Sequence, residues 1–287
     1  MNQRPWLLFA LVTMVFWGIW GALIEIPEKA GFPATLGYSV WALTMIPCAI
    51  AALFIINWRL EYDARSIFFG SVVGLLGAGG QLVLFQALRE GPAYIVFPVI
   101  SLYPVITIFL SSVVLKESTT RRHWVGIALA LVAILLLSYQ EPNNNTSADG
   151  YGWLILSFIV FISWGFQAFA MKFSNNRMKA ESIFFYMMVS AVLLIPVAIL
   201  MTDFSQNINW GFKGPYLAAG IQVLNSIGAL TLVYAIRYGK AIIVVPVTAL
   251  APVITIILSL IIYAVFPHWI VLAGLVLAVI AIYLIAE

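Results

Sequence analysis

The sequence predicts an all-α membrane protein whose ten transmembrane helices form two inverted five-helix repeats. Three observations lead to this prediction. Hydrophobic residues make up 63% of the 287 residues and charged residues only 9%, whereas a soluble domain carries roughly 25% charged residues. Apolar runs of about 20 residues, the length that crosses a bilayer as a helix, follow one another along the chain. Motifs of the first half also return in the second half.

Charged residues and clusters of Gly, Pro or Asn separate the apolar runs. Helices are expected in these runs because a helix satisfies its backbone hydrogen bonds within the segment. The ten predicted spans cover residues 6–26, 34–57, 66–88, 92–115, 123–140, 151–173, 181–202, 213–236, 241–263 and 268–286. The polar segment 141–150 is predicted to be an outside linker between a first repeat, 1–140, and a second repeat, 151–287.

The distribution of Lys and Arg predicts the orientation. With a cytoplasmic N-terminus, three of these residues fall outside: Lys29, Arg89 and Lys213. Eleven fall inside: Arg4, Arg59, Arg65, Lys116, Arg121, Arg122, Lys172, Arg177, Lys179, Arg237 and Lys240. Cytoplasmic loops of membrane proteins carry this excess of basic residues. Both termini are therefore predicted to be cytoplasmic, in a multi-pass protein of the inner membrane.

An internal repeat relates the two halves. The string Pro-Val-Ile-Thr-Ile begins at Pro104 and again at Pro252, and Trp17-Gly18 returns as Trp164-Gly165. Chance hydrophobic similarity does not align prolines, glycines and tryptophans together. Because each predicted unit has five spans, an odd number, the second unit enters the membrane upside down. Inverted repeats of this kind are typical of secondary transporters, which bind substrate near the membrane midplane between the repeats.

The repeated unit resembles the EamA-type repeat of the drug/metabolite transporter superfamily. The resemblance rests on the segment 87–93 (ALREGPA), Pro98, Pro104, the sequence 115–117 (LKE) and Gly126. It implies a central cavity lined by spans 1–4 and 6–9, with spans 5 and 10 at the periphery. The second half departs from the pattern, because residues 263–265 (YAV) stand where 115–117 stand in the first. Glu117 therefore has no duplicate.

A further likeness is to the ureide-permease and sugar-uptake branches of that superfamily. It rests on the segment 20–25, Glu28, and the sequence 31–33 (GFP) that leads to residues 38–41 (YSVW). This likeness implies a ureide or a sugar as substrate.

Pro98, Pro104, Pro246 and Pro252 are candidate hinges inside spans 4 and 9. Each proline removes a backbone donor and crowds the carbonyl four residues earlier, so each is expected to kink its helix. The kinks serve either as hinges for alternating access or as static bends that aid packing.

Aromatic and amide side chains at apolar depth are the candidate substrate-binding residues. Indole faces bind flat or cationic ligands and the apolar faces of sugars, and polar residues inside membranes are functional candidates. The alternatives are interfacial anchoring for the tryptophans and interhelical hydrogen bonding for the amides. The candidates are Trp17, Trp20, Trp41, Gln81, Trp164, Gln167, Gln222 and Asn225.

Glu25 and Lys172 occupy equivalent positions in the two repeats, each near the end of its predicted span. The simpler interpretation is that both side chains reach into the lipid headgroups. The alternative for Glu25 is a gating or coupling role.

No charged residue or histidine lies at the midpoint of a predicted span, which argues against a charged substrate neutralised by a buried partner. The sequence therefore predicts a secondary-active or facilitative transporter of a small polar metabolite, neutral or zwitterionic, such as a ureide, nucleobase or sugar. An exporter of amino acids or drugs and a membrane sensor or scaffold without flux remain alternatives.

An enzyme is not expected, because the predicted spans contain no Ser-His pair, carboxylate pair or metal-ligand spacing at depth. Neither a cofactor nor a metal is expected, given two histidines and one cysteine. The net charge of +3 is explained by the basic loops rather than by nucleic acid. The expected partners are a small-molecule substrate and membrane lipid, and the expected assembly is a monomer or homodimer.

Overall fold

The computed structural model describes residues 5–139, 151–263 and 267–286. Within these ranges, helices joined by loops make up the structure. The linker predicted at 141–150 lies outside these ranges. The helices, in chain order, are α1 (Pro5–Leu23), α2 (Glu25–Lys29), α3 (Ala34–Ile55), α4 (Ala64–Glu90), α5 (Ala93–Ser101), α6 (Tyr103–Val113), α7 (Arg121–Leu137), α8 (Gly152–Asn175), α9 (Ala180–Leu193), α10 (Ile195–Leu200), α11 (Leu217–Tyr238), α12 (Ala241–Thr248), α13 (Pro252–Tyr263) and α14 (Trp269–Ala286). A short π-helical turn, Phe212–Tyr216, leads into α11.

Within the described ranges, nine helical segments are long and apolar enough to cross a membrane. They are Pro5–Lys29, Ala34–Ile55, Ala64–Glu90, Ile95–Val113, Gly152–Asn175, Ala180–Leu200, Phe212–Tyr238, Ala241–Ile262 and Trp269–Ala286. The remaining predicted span, 123–140, corresponds to α7, which has 17 residues. That length is at the lower limit for a transmembrane helix, and α7 packs along α14.

Spans 4 and 9 are each divided into two helices, where the prolines had predicted kinks. In span 4 the break falls at Leu102, whose N–H turns back to the carbonyl of Ile100. In span 9 the break lies between Thr248 and Pro252, where the N–H of Ala251 donates to the Thr248 carbonyl at 3.2 Å. The breaks follow from the missing N–H of Pro104 and Pro252, each of which begins or nearly begins the next helix.

The contacts between the halves come in symmetric pairs, as expected of inverted repeats. Helix α1 packs on α11 of the second repeat, and its counterpart α8 packs on α4 of the first. Helix α3 likewise packs on α11 and α9 on α4, while α13 contacts α1 and α6 contacts α8. Helices that correspond to each other across the repeats, α3 with α9 and α7 with α14, pack directly together. The interior therefore lies between the repeats rather than within either one.

The repeated motifs of the two halves contact each other in the same way in both directions. The Trp-Gly motif of each repeat contacts the Pro-Val-Ile-Thr motif of the other. The Thr107 hydroxyl donates to the Gly165 carbonyl, and the Thr255 hydroxyl donates to the Gly18 carbonyl, both at 2.9 Å. Glycine is needed at these two positions because the facing helix approaches so closely that a side chain has no room.

Replacing Thr107 or Thr255 with valine is expected to lower the free energy of unfolding by about 0.6 kcal/mol each. Valine keeps the shape but removes the donor, and interhelical hydrogen bonds in membranes average about that value. Unfolding with a denaturing detergent measures the change. Equal losses at the two sites are expected from the symmetry, and a loss at only one site would contradict it.

Candidate functional site

Four of the predicted site residues form one hydrogen-bonded network between α1, α3 and α11. The indole Nε1 of Trp20 donates to Oε1 of Gln222 at 3.0 Å, and Nδ2 of Asn225 approaches the same oxygen at 3.4 Å. The Nε2 of Gln222 donates to the Gly37 carbonyl at 3.2 Å. The indole of Trp17 donates to the main-chain carbonyl of Asn225 at 3.3 Å. The network joins both repeats, and Gln222 is its buried centre.

Trp164 and Gln167 occupy the symmetry-related place between α8 and α4. The indole of Trp164 lies 3.4 Å from the Gly77 carbonyl, as the indole of Trp17 lies against the Asn225 carbonyl. Gly77 provides the room for the Gln167 amide, which fills the space a Cβ there would occupy. Tyr103 from α6 meets the Trp164 ring edge to face, with 6.0 Å between centroids. Two indole groups therefore approach the repeat interface from opposite halves.

Trp41 differs from the other three tryptophans because its Nε1 is buried without a hydrogen-bond partner among the described residues. Its ring meets Tyr38 edge to face at 5.4 Å, and the Tyr38 hydroxyl is already engaged with the Ala191 carbonyl. A buried donor without a partner costs about 1–3 kcal/mol. The Trp41 indole carries that cost in the structure described.

The eight candidate substrate-binding residues thus fall into three groups. Trp17, Trp20, Gln222 and Asn225 are joined by hydrogen bonds, and Trp164 and Gln167 meet at Gly77. Trp41 and Gln81 stand on α3 and α4 and are half-buried. The four prolines lie in the broken spans, where Pro104 and Pro246 are buried and Pro98 and Pro252 are half-buried.

Glu25 lies away from these groups, at the start of α2. Its carboxylate pairs with Lys29 of the same helix at 2.5 Å, and both side chains are more than half exposed. An exposed pair of this kind contributes little to stability. The coupling role considered for Glu25 remains a prediction.

The expectation that Lys172 reaches the headgroups is wrong, because its ammonium turns inward. It lies 3.7 Å from Glu117, with the two side chains only 13% and 9% exposed. The Lys172 Nζ also donates to the carbonyls of Ile236 at 3.1 Å and Gly239 at 2.6 Å. The carbonyls at the end of α11 stabilise a cation there. The sequence contained one signal for this site, the unduplicated position of Glu117, but not its partner.

The chain resembles known proteins along most of its length. Protein LicB of Haemophilus influenzae is 25% identical over 209 residues, which cover 70% of each chain. A probable 4-amino-4-deoxy-L-arabinose-phosphoundecaprenol flippase subunit ArnE of Proteus mirabilis is 30% identical over 90 residues, covering 30% of this chain and 80% of the relative. One solved crystal structure superposes with a TM-score of 0.77 at 16% identity, covering 97% of this chain and 98% of the other, which shows the shared fold.

The profile of a single family matches the chain twice, over residues 4–139 and again over residues 151–286. The two matches coincide with the two helical repeats whose contacts mirror each other. Their arrangement as inverted copies, with a network of indoles and amides between them, is the architecture of a transporter. The chain belongs to the EamA-like transporter family, within the drug/metabolite transporter superfamily.

Proposed function

We propose that the protein is a secondary-active or facilitative transporter that moves a small polar metabolite across the inner membrane by alternating access. The observation that carries the proposal is the indole and amide network that links Trp20, Gln222 and Gly37 across the repeat interface. Transporters built from inverted repeats bind substrate at that interface. The proposal extends the family assignment to a substrate class and a mechanism.

A neutral or zwitterionic substrate suits the chemistry of this interface. The side chains named in this network are uncharged, and they offer ring faces, amides and the N–H of Trp41, which has no partner among the described residues. Ring faces pack on flat or sugar-like molecules, and the Trp41 N–H would donate to a carbonyl or hydroxyl oxygen of the substrate. Ureides, sugars and every common nucleobase except adenine carry such oxygens. The name of the Proteus mirabilis relative describes a flippase subunit for 4-amino-4-deoxy-L-arabinose-phosphoundecaprenol, an amino sugar joined to a lipid phosphate, and the sugar part of that name supports including sugars.

The broken helices α5–α6 and α12–α13 supply the moving joints in this proposal. Each break lies beside the first helix of the opposite repeat, because α6 packs on α8 and α13 on α1. Bending at Pro104 and Pro252 would therefore move one repeat against the other.

The proposed orientation, with both termini cytoplasmic, rests on the excess of Lys and Arg in the predicted cytoplasmic loops. Reporter fusions at each terminus test it.

Purified protein in proteoliposomes is expected to give saturable uptake of at least one metabolite from a panel of ureides, nucleobases, sugars and amino acids. The Trp41→Phe variant is expected to raise the half-saturation concentration about 10-fold, which corresponds to the loss of one hydrogen bond of about 1.4 kcal/mol. Trp269→Phe serves as the matched control, since Trp269 is 69% exposed on the outer surface.

Two outcomes would count against the proposal. An absence of saturable flux across the whole panel, from a protein that remains monodisperse and folded, would favour a sensor or scaffold. A half-saturation concentration unchanged by Trp41→Phe would show that the unpartnered indole does not meet the substrate. Flux measured in vesicles of both orientations distinguishes uptake from export.

A further inference from the structure

The buried Glu117–Lys172 pair joins the two repeats at one end of the helical bundle. Glu117 follows α6 of the first repeat, and Lys172 lies in the last turn of α8 in the second. The Glu117 carboxylate also accepts the main-chain N–H of Ile242 at 3.2 Å, at the start of α12. A second inter-repeat contact lies beside it, where the Lys240 ammonium donates to the Ser118 carbonyl. One carboxylate therefore holds both α8 and α12 of the opposite repeat.

Further hydrogen bonds close the same end. Arg237 at the end of α11 donates to the carbonyl of Asn175, the last residue of α8, at 2.9 Å. It also donates to the carbonyl of Met178, just past α8, at 2.7 Å. The carboxylate of Glu61, from the first repeat, accepts the N–H of Lys179 at 2.8 Å in the second. The pair itself is only 13% exposed at Lys172 and 9% at Glu117, so water has little access to it.

The opposite end of the molecule has no equivalent pair among its described residues. Symmetry places Glu25 where Lys172 stands, and Glu25 pairs with Lys29 of its own helix rather than with the other repeat. In the sequence, Val265 takes the place of Glu117. Among the described residues, the buried ion pair between the repeats therefore lies at one end, while at the other end Arg89 of the first repeat donates to the Met201 carbonyl of the second at 3.3 Å.

The attraction between Glu117 and Lys172 is offset by the free-energy cost of removing both charges from water. Removing one partner of a buried ion pair strands the other charge, whereas moving both into water together restores their hydration. Burial raises the pKa of Glu117 above its usual range, even though Lys172 and Lys240 act in the opposite direction. The desolvation cost thus offsets much of the attraction, which is what a contact that repeatedly forms and breaks requires.

We propose that Glu117 and Lys172 form a latch between the repeats that holds this end of the bundle closed and must separate for it to open. The inference rests on the alternating access proposed above. By the distribution of basic residues, the latched end is the cytoplasmic one. Because inverted repeats exchange conformations between the two facing states, a latch at one end alone sets which state is favoured at rest.

A cysteine behind the latch tests the proposal without any substrate. Ala241 is fully buried beside Ile242, and Cys48 is the one native cysteine, so the reporter is Ala241→Cys in a Cys48→Ser background. The protein is placed in lipid nanodiscs, where both ends meet water, and is reacted with a charged maleimide. Glu117→Gln keeps an acceptor for the Ile242 N–H but removes the charge, and it is expected to raise the labelling rate at least 10-fold. Lys172→Gln is expected to do the same.

Asp203→Asn is the matched control, because it removes a carboxylate that bonds to Ser205 and Gln206 of its own loop, and it is expected to leave the labelling rate unchanged. Equal labelling of the background protein and both latch variants, at matched melting temperatures, would overturn the proposal. Where a single variant fails to fold, the exchanged pair Glu117→Lys with Lys172→Glu decides the question. Slow labelling of the folded exchange variant supports the latch, and labelling at the rate of an exposed cysteine overturns it. Since labelling needs no transport, a failed latch leaves the flux proposal standing.

Discussion

Replacing Gly165 with alanine is expected to lower the free energy of unfolding by about 3 kcal/mol, enough to remove most folded protein from the membrane. The added Cβ would lie 2.5 Å from Cβ of Ile106 and 2.9 Å from the carbonyl oxygen of Tyr103. A backbone oxygen cannot rotate away, so α6 and α8 must separate. Overpacking costs about 1–3 kcal/mol, and the separation also breaks the bond from Thr107 to the Gly165 carbonyl. Thermal melting followed by size-exclusion chromatography measures the loss.

The repeat symmetry supplies both a second test and a control for this expectation. A Cβ at Gly18 would meet the Ala251 carbonyl at 2.9 Å, so Gly18→Ala is expected to be equally harmful. A Cβ at Gly79 or Gly220 has no neighbour within 4 Å. Alanine at those two positions is expected to leave the melting temperature unchanged or to raise it slightly, because alanine favours a helix. Similar melting temperatures for all four variants would show that the close approach is not required.

The number and order of the spans could be predicted because membranes impose a length and a polarity on every helix. The two family matches confirm the predicted fold class of two repeats of transmembrane helices. The duplicated Trp-Gly and Pro-Val-Ile-Thr motifs were also visible in the sequence. The sequence did not reveal that the Trp-Gly motif of one repeat contacts the Pro-Val-Ile-Thr motif of the other. The hydrogen bond from Thr107 to Gly165 is one such contact. Pairing of that kind depends on which helices meet, and periodicity carries no information about it.

The candidate site was predictable to a similar extent. Amide and indole groups at apolar depth could be named from the sequence because such groups need partners in a membrane. Which of them already have partners depends on the folded structure: Gln222 bonds to Trp20 and Gly37, whereas the Trp41 indole has no partner among the described residues. Lys172 was misplaced for a related reason. Its position near the end of a span fits both a headgroup contact and an inward turn, and only the approach of the loop that carries Glu117 decides between them.

The Gln222→Leu variant is expected to lower flux about 30-fold while leaving the protein folded. Leucine has a similar volume, so packing between α1, α3 and α11 is largely kept. The substitution removes the acceptor of the Trp20 indole and the donor to the Gly37 carbonyl. Two hydrogen bonds worth about 1 kcal/mol each then no longer order the repeat interface, and 2 kcal/mol corresponds to about a 30-fold change in the population of the competent arrangement.

Two further variants separate this explanation from a general effect of losing an amide. Trp20→Phe removes one of the same two bonds from its other side, so it is expected to lower flux by a smaller factor of about 5, for about 1 kcal/mol. Gln86→Leu is the matched control, since Gln86 bonds to Glu90 within its own helix and, among the described residues, forms no hydrogen bond to another helix. Its flux is expected to stay within about twofold of the unmodified protein, because no contact between helices is lost. If Gln86→Leu were as inactive as Gln222→Leu, the network between the repeats would not be what orders the site.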